Sequence, residues 1–231
     1  MGEKEDLIEK MYEISDVVVK FVIGNILWLI FNLPNLFLVS SYFFAESPFQ
    51  PFLLRFLVLS APILLFPSSQ ALLCLMREIV LDKPFTVRDT FFLFMSYFKE
   101  NYLTSLYFGI GFTVTISLIT SLLQITWMNS ILFFTILIMG LIYVLFTRLK
   151  FFLMTAHFSM SFSWKVKQAF RLALGKPVYA SASFVLPLLL IWISWMIFPP
   201  LVLFVSEAAA SYLLYFLFQL EYKKLTKNNR V

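Results

Sequence analysis

Chemistry requires ionisable or nucleophilic side chains in groups, and this sequence places few of them together. Glu207 is the one acid well inside an apolar run, and a carboxylate at membrane depth is by default a functional candidate. Arg55, at a matching depth in an earlier run, would meet it if the two helices touched. Ion pairing with Arg55 therefore competes with proton or ion coupling by Glu207, or with a neutral, protonated carboxyl. The surrounding Ser206, Ala210 and Ser211 are small enough for helix backbones to approach closely, which favours pairing.

A second group is Asn25, Asn32 and Asn35. Their spacing of seven and three puts Asn25 and Asn32 on one helical face with Trp28 beside them. Amides so placed hydrogen-bond neighbouring helices; contact with a substrate is the alternative. Pro62 and Pro67 kink the next apolar run, where Ser68, Ser69 and Gln70 are available to satisfy freed carbonyls. The single histidine, His157, and the single cysteine, Cys74, cannot build a metal cluster or a catalytic dyad. His157 is expected to contact a headgroup or backbone. No phosphate loop, zinc helix or nucleophile elbow occurs. Neither an enzyme nor a bound cofactor or metal is expected.

These residues are carried by elements whose nature composition settles. The 231-residue chain is 61% hydrophobic and 13% charged, with 29 Phe. Soluble domains are near 45–50% apolar and about 25% charged, so lipid must cover much of this surface. The expected fold is all-α: a polytopic bundle of six transmembrane helices, each about 20 apolar residues long. The spans fall at about 21–44, 52–76, 103–127, 131–152, 178–198 and 201–218. Pro48 and Pro51, residues 127–130, and Pro199-Pro200 punctuate the turns. An amphipathic helix, residues 1–20, precedes the first span, and a basic tail, 219–231, follows the last.

Of the 18 Lys and Arg residues, all but Arg55 fall at the amino terminus, in the second and fourth connections or at the span end that adjoins them, or in the tail. The positive-inside rule then places both termini in the cytoplasm. The two long inner connections, about 86–101 and 163–175, read as interfacial amphipathic helices. Thr86 and Asp89 form a capping box for the first, and Gly175 and Pro177 end the second. In the second, Val166, Phe170 and Ala173 share one face and Lys167 and Arg171 another. Arg88, Lys99, Trp164, Lys167, Phe170 and Arg171 are the candidate surface for an anionic inner leaflet or a protein partner. An offset of 77 aligns the two connections, Phe85 with Phe162 and Lys99 with Lys176, so the span–helix–span unit is either repeated or merely similar in composition. The basic surface has no nucleic-acid-binding module behind it, so nucleic acid is not an expected partner. Self-association remains open.

The segment "NILWLIFNLP" from Asn25 to Pro34, followed by "FPSSQALLCLMREIVLDKPFTVRDTFFLFMSYFKENY", resembles the YesL-like family of small bacterial membrane proteins. The resemblance rests on N-x-x-W-x-x-F in span one, Pro-Ser-x-x-Ala in span two, and the basic, aromatic exit that follows. That family is a domain of unknown function whose members are often encoded beside carbohydrate ABC importers. The resemblance implies a bacterial plasma-membrane protein serving oligosaccharide uptake, with importer permease or ATPase subunits as partners. A self-sufficient sugar carrier using the intramembrane carboxylate is the alternative.

Overall fold

The computed structural model describes residues 2–46, 48–126 and 131–228. Among them the chain is all-helical: α1 (Gly2–Phe44), α2 (Gln50–Ser60), α3 (Phe66–Val80), α4 (Val87–Thr126), α5 (Ile131–His157), α6 (Phe162–Gly175), α7 (Pro177–Ile197) and α8 (Glu207–Asn228). Two single π-turns interrupt the rods. Ala61–Leu65 joins α2 to α3, and Val202–Ser206 leads into α8. Six of the resulting helices are long and apolar enough to cross a membrane. Helices suit a lipid solvent because each satisfies its backbone internally.

Several boundaries differ from those the sequence suggests. Residues 86–101 and 103–127 do not form two elements: α4 runs unbroken for 40 residues, about 60 Å at 1.5 Å per residue against a hydrocarbon core of about 30 Å. No Gly or Pro lies between Val87 and Gly109, so nothing ends the helix at Asn101. The amino-terminal segment is likewise continuous with span one in α1, and α8 carries the helix through much of the basic tail. α5 extends to His157, past the expected end of the fourth span at 152, with Arg148 and Lys150 well inside the rod. α6, by contrast, is a separate 14-residue helix, ended where Gly175 meets Pro177. The two stretches aligned by the offset of 77 are therefore built differently. The turn at 127–130, and Arg230 in the tail, lie outside the described residues.

The centre of the bundle is α3, whose residues from Phe66 to Met76 are all buried. One side packs Leu73, Cys74 and Phe66 against Phe108, Phe151, Phe152 and Tyr215; the other packs Ala71, Leu72 and Leu75 against Leu27, Phe94 and Ala208. The far half, towards Phe44, Phe52 and Ile131, stays exposed, as a lipid-facing surface would.

α3 ends in a Schellman turn. The Lys83 amide donates to the Glu78 carbonyl and the Asp82 amide to that of Ile79, with Asp82 at φ +50° in the left-handed position. The chain then enters α4 through a reciprocal capping box. The Asp89 carboxylate accepts from the Thr86 amide at 2.9 Å, and the Asp89 amide donates to the Thr86 hydroxyl at 3.3 Å.

Gly109 marks the closest approach of α4 to the first π-turn. A Cβ there would lie 3.1 Å from the Pro62 Cα and 3.0 Å from the Phe66 ring. Backbone cannot yield as a flexible side-chain end can, so Gly109→Ala is expected to cost about 1–3 kcal/mol by overpacking. Gly111, two residues on, meets nothing within 4 Å, and Gly111→Ala should be neutral or stabilising in the same thermal-unfolding measurement.

Candidate functional site

The asparagines of α1 do different work from one another. Asn25, fully buried, donates from Nδ2 to the Leu203 carbonyl at 2.6 Å and accepts the Ala208 amide on Oδ1 at 2.9 Å. It thereby spans the second π-turn, where the regular helical ladder is broken. Asn32 donates to the Trp28 carbonyl and to Ser68 Oγ at 2.7 Å, and accepts from Asn35. Ser60, beside the first π-turn, donates to Asn35 Oδ1 at 2.6 Å. Trp28 Nε1 donates to Ser69 at 3.0 Å. Of the polar trio after Pro67, Ser68 is the one that donates to carbonyls of the preceding turn, those of Leu64 and Leu65. Gln70 instead reaches the Phe152 carbonyl at 3.1 Å.

Glu207 does not pair with Arg55. Arg55 is exposed on α2, and no ion pair joins them among the described residues. The charged group that acts on Glu207 is Arg148 of α5, although the two make no direct ion pair. Matching depth from sequence could not reveal which helices are neighbours: the second π-turn faces α1, and α8 packs on α3, away from Arg55. The Arg148 guanidinium is caged by rings, 5.0 Å from Phe66, 5.5 Å from Phe152 and 5.7 Å from Phe112. Its Nε is buried and has no hydrogen-bond partner among the described residues. Arg148 borders a cavity of about 370 Å³ between α1, α2, α4 and α5, to which Trp28, Asn32, Asn35, Thr113 and Ser117 also contribute.

A second polar centre lies at the basic end of the bundle, and the sequence reading missed it. Glu78, buried on α3, accepts from Arg77, from Tyr97 Oη at 2.7 Å and from Lys83 Nζ at 2.8 Å. Arg77 also donates to the Ala156 carbonyl. Lys150 and Glu221 form a fully buried ion pair at 2.5 Å between α5 and α8. His157 Nδ1 meets Tyr215 Oη at 2.7 Å, within a nest of Phe158, Phe218 and Tyr222 rings. The available signal was apolar sequence continuing past these charges, as in "RLKFFLMTAH" and "FLFQLEYKKL", which places them inside helices.

Of the surface residues, Arg88, Lys99, Lys167 and Arg171 are exposed and Trp164 is half-buried. Phe170 is 41% exposed, and its carbonyl accepts from Tyr143 Oη at 3.0 Å. The face of α6 that meets the bundle is Lys165, Ala169 and Ala173, with Val166 packed beside them, and of the apolar stripe only Phe170 stands largely outside. Burial pushes the Lys165 ammonium below its usual pKa. Among the described residues no group of three or more His, Cys, Asp and Glu is placed to hold a metal ion.

Six apolar helices around an internally hydrogen-bonded core define a polytopic helical membrane protein. Residues 21–121 match the family model described as "Protein of unknown function, DUF624". That stretch contains Asn25, Asn32, Asn35, Arg77, Glu78 and Tyr97, and stops short of Arg148, Lys150, Glu207 and Glu221. No curated protein matches the chain, and no solved structure does.

Proposed function

We propose that the chain is a non-catalytic subunit of a bacterial plasma membrane, with both ends in the cytoplasm, that docks on the permease or ATPase of an oligosaccharide importer. The observation that carries this reading is how polar groups are used. Charges buried at the basic end bind one another, Lys150 with Glu221 and Arg77 and Lys83 with Glu78. The exposed remainder there is a set of cations and large apolar side chains: Arg88, Phe91, Phe92 and Lys99 on α4, and Lys167, Phe170, Arg171 and Leu174 on α6. Such surfaces suit anionic headgroups and the amphipathic flanks of another membrane protein. The resemblance to YesL-like proteins supplies the importer as partner, and a second copy of the chain is the competing one. Photo-crosslinkers at Phe92 and Leu174, used in cells at native expression, should capture importer subunits. Adducts with lipid or with the chain itself, and nothing else, would overturn the reading.

One observation favours a second reading, a small-solute carrier. Arg148 and Glu207 are opposite charges inside spans, near each other but unpaired, and Arg148 borders a cavity. Purified protein in liposomes would then drive sugar uptake that Glu207→Gln abolishes.

A further inference from the structure

We infer that the cavity between α1, α2, α4 and α5 is a binding site for an amphiphile with a single anionic head, a carboxylate or phosphate, seated on Arg148. The inference rests on the cavity alone and not on the importer reading. Its walls are apolar: Leu36, Val39, Leu57, Val58 and Ile116 line it, and its volume of about 370 Å³ falls within the range of small-molecule sites. At one end sits a guanidinium with no hydrogen-bond acceptor among the described residues, held only by the faces of Phe66, Phe112 and Phe152. Its buried Nε lacks a partner among those residues as well.

The amide oxygens of the asparagines beside Arg148 are already taken, and no carboxylate among the described residues lines the cavity. Asn32 uses its amide hydrogens on the Trp28 carbonyl and Ser68, and its oxygen is taken by Asn35. Asn35 Oδ1 is taken by Ser60, which leaves that amide one N–H to offer. Glu207 acts on Arg148 through space without contact, so the guanidinium keeps its hydrogen-bonding edge. A ligand that fits must bring acceptors and negative charge at one end and an apolar body behind, since guanidinium recognises planar oxyanions by paired hydrogen bonds. A neutral alcohol of equal length would fill the walls and leave Arg148 unanswered.

The test uses the full-length protein in phosphatidylcholine nanodiscs with a diazirine-bearing decanoate, and a diazirine decanol as the neutral match. Cross-linked sites are mapped by mass spectrometry. Decanoate should label Leu36, Val58 and Ile116, and decanol at least about tenfold less, the loss expected for a charge-assisted hydrogen bond. Arg148→Gln should reduce decanoate labelling to the alcohol level, and Arg148→Lys should retain most of it. Should Arg148→Gln not fold, Ile116→Trp, which keeps the charge and fills the cavity, should remove the labelling instead. Competition separates two sources of the same head chemistry. Loss of labelling in phosphatidylglycerol nanodiscs identifies a membrane lipid, and competition by free decanoate alone a soluble amphiphile. Equal labelling by acid and alcohol, or labelling untouched by both Arg148→Gln and Ile116→Trp, overturns the site.

Discussion

Lys150→Ala should be among the most damaging single substitutions in this protein, at about 3–5 kcal/mol, because it strands a buried carboxylate. Lys150 is fully buried, Glu221 is 2% exposed, and their Nζ and Oε2 are 2.5 Å apart. The second carboxylate oxygen, Oε1, has no partner among the described residues, so there Glu221 depends on Lys150 for its strong contact. The double variant Lys150→Met with Glu221→Met is expected to recover most of the lost stability, as similar-sized apolar replacements of buried pairs often do. Thermal unfolding of the purified protein in mild detergent measures both. A single variant within about 1 kcal/mol of the unaltered protein would show that the pair is open to solvent or absent.

Asn25→Leu should cost about 2–4 kcal/mol, because one side chain satisfies two backbone groups that a π-turn leaves without regular partners. The Leu203 carbonyl and the Ala208 amide would both lose their hydrogen bonds, at roughly 1–3 kcal/mol each when buried. Asn35→Ala removes bonds only to other side chains, Asn32 and Ser60, and should cost less, about 1 kcal/mol. The specific signature is local. Hydrogen exchange at the Ala208 amide should accelerate strongly in Asn25→Leu and remain slow in Asn35→Ala. Unchanged exchange at Ala208 in Asn25→Leu would mean that another group caps the turn.

The sequence by itself determined the class of the protein. Apolar runs of about 20 residues, Pro199-Pro200 between the last two, and the Gly175–Pro177 break follow from backbone chemistry in a solvent that offers no hydrogen bonds. The Thr86–Asp89 cap was legible for the same reason, since a capping box is complete within four residues. The asparagines of α1 were legible as polar residues at helical spacing. That Asn25 serves the second π-turn and α8, while Asn32 reaches Ser68 of α3 and Asn35 reaches Ser60 of α2, was not, because spacing gives the face and not the neighbour.

Only the tertiary structure decided the charged pairs. Lys150 and Glu221 lie 71 residues apart, and Glu207 lies within electrostatic reach of Arg148, without an ion pair to it or to Arg55 among the described residues. Such partnerships depend on which helices pack against α3. In a bilayer every apolar face is equally content against lipid or against another helix, so hydrophobic pattern alone cannot choose among them. The choice falls to small residues such as Gly109 and Ala169, which permit close approach, and to buried polar groups that must find one another. Those are long-range conditions, met only when the whole bundle is assembled.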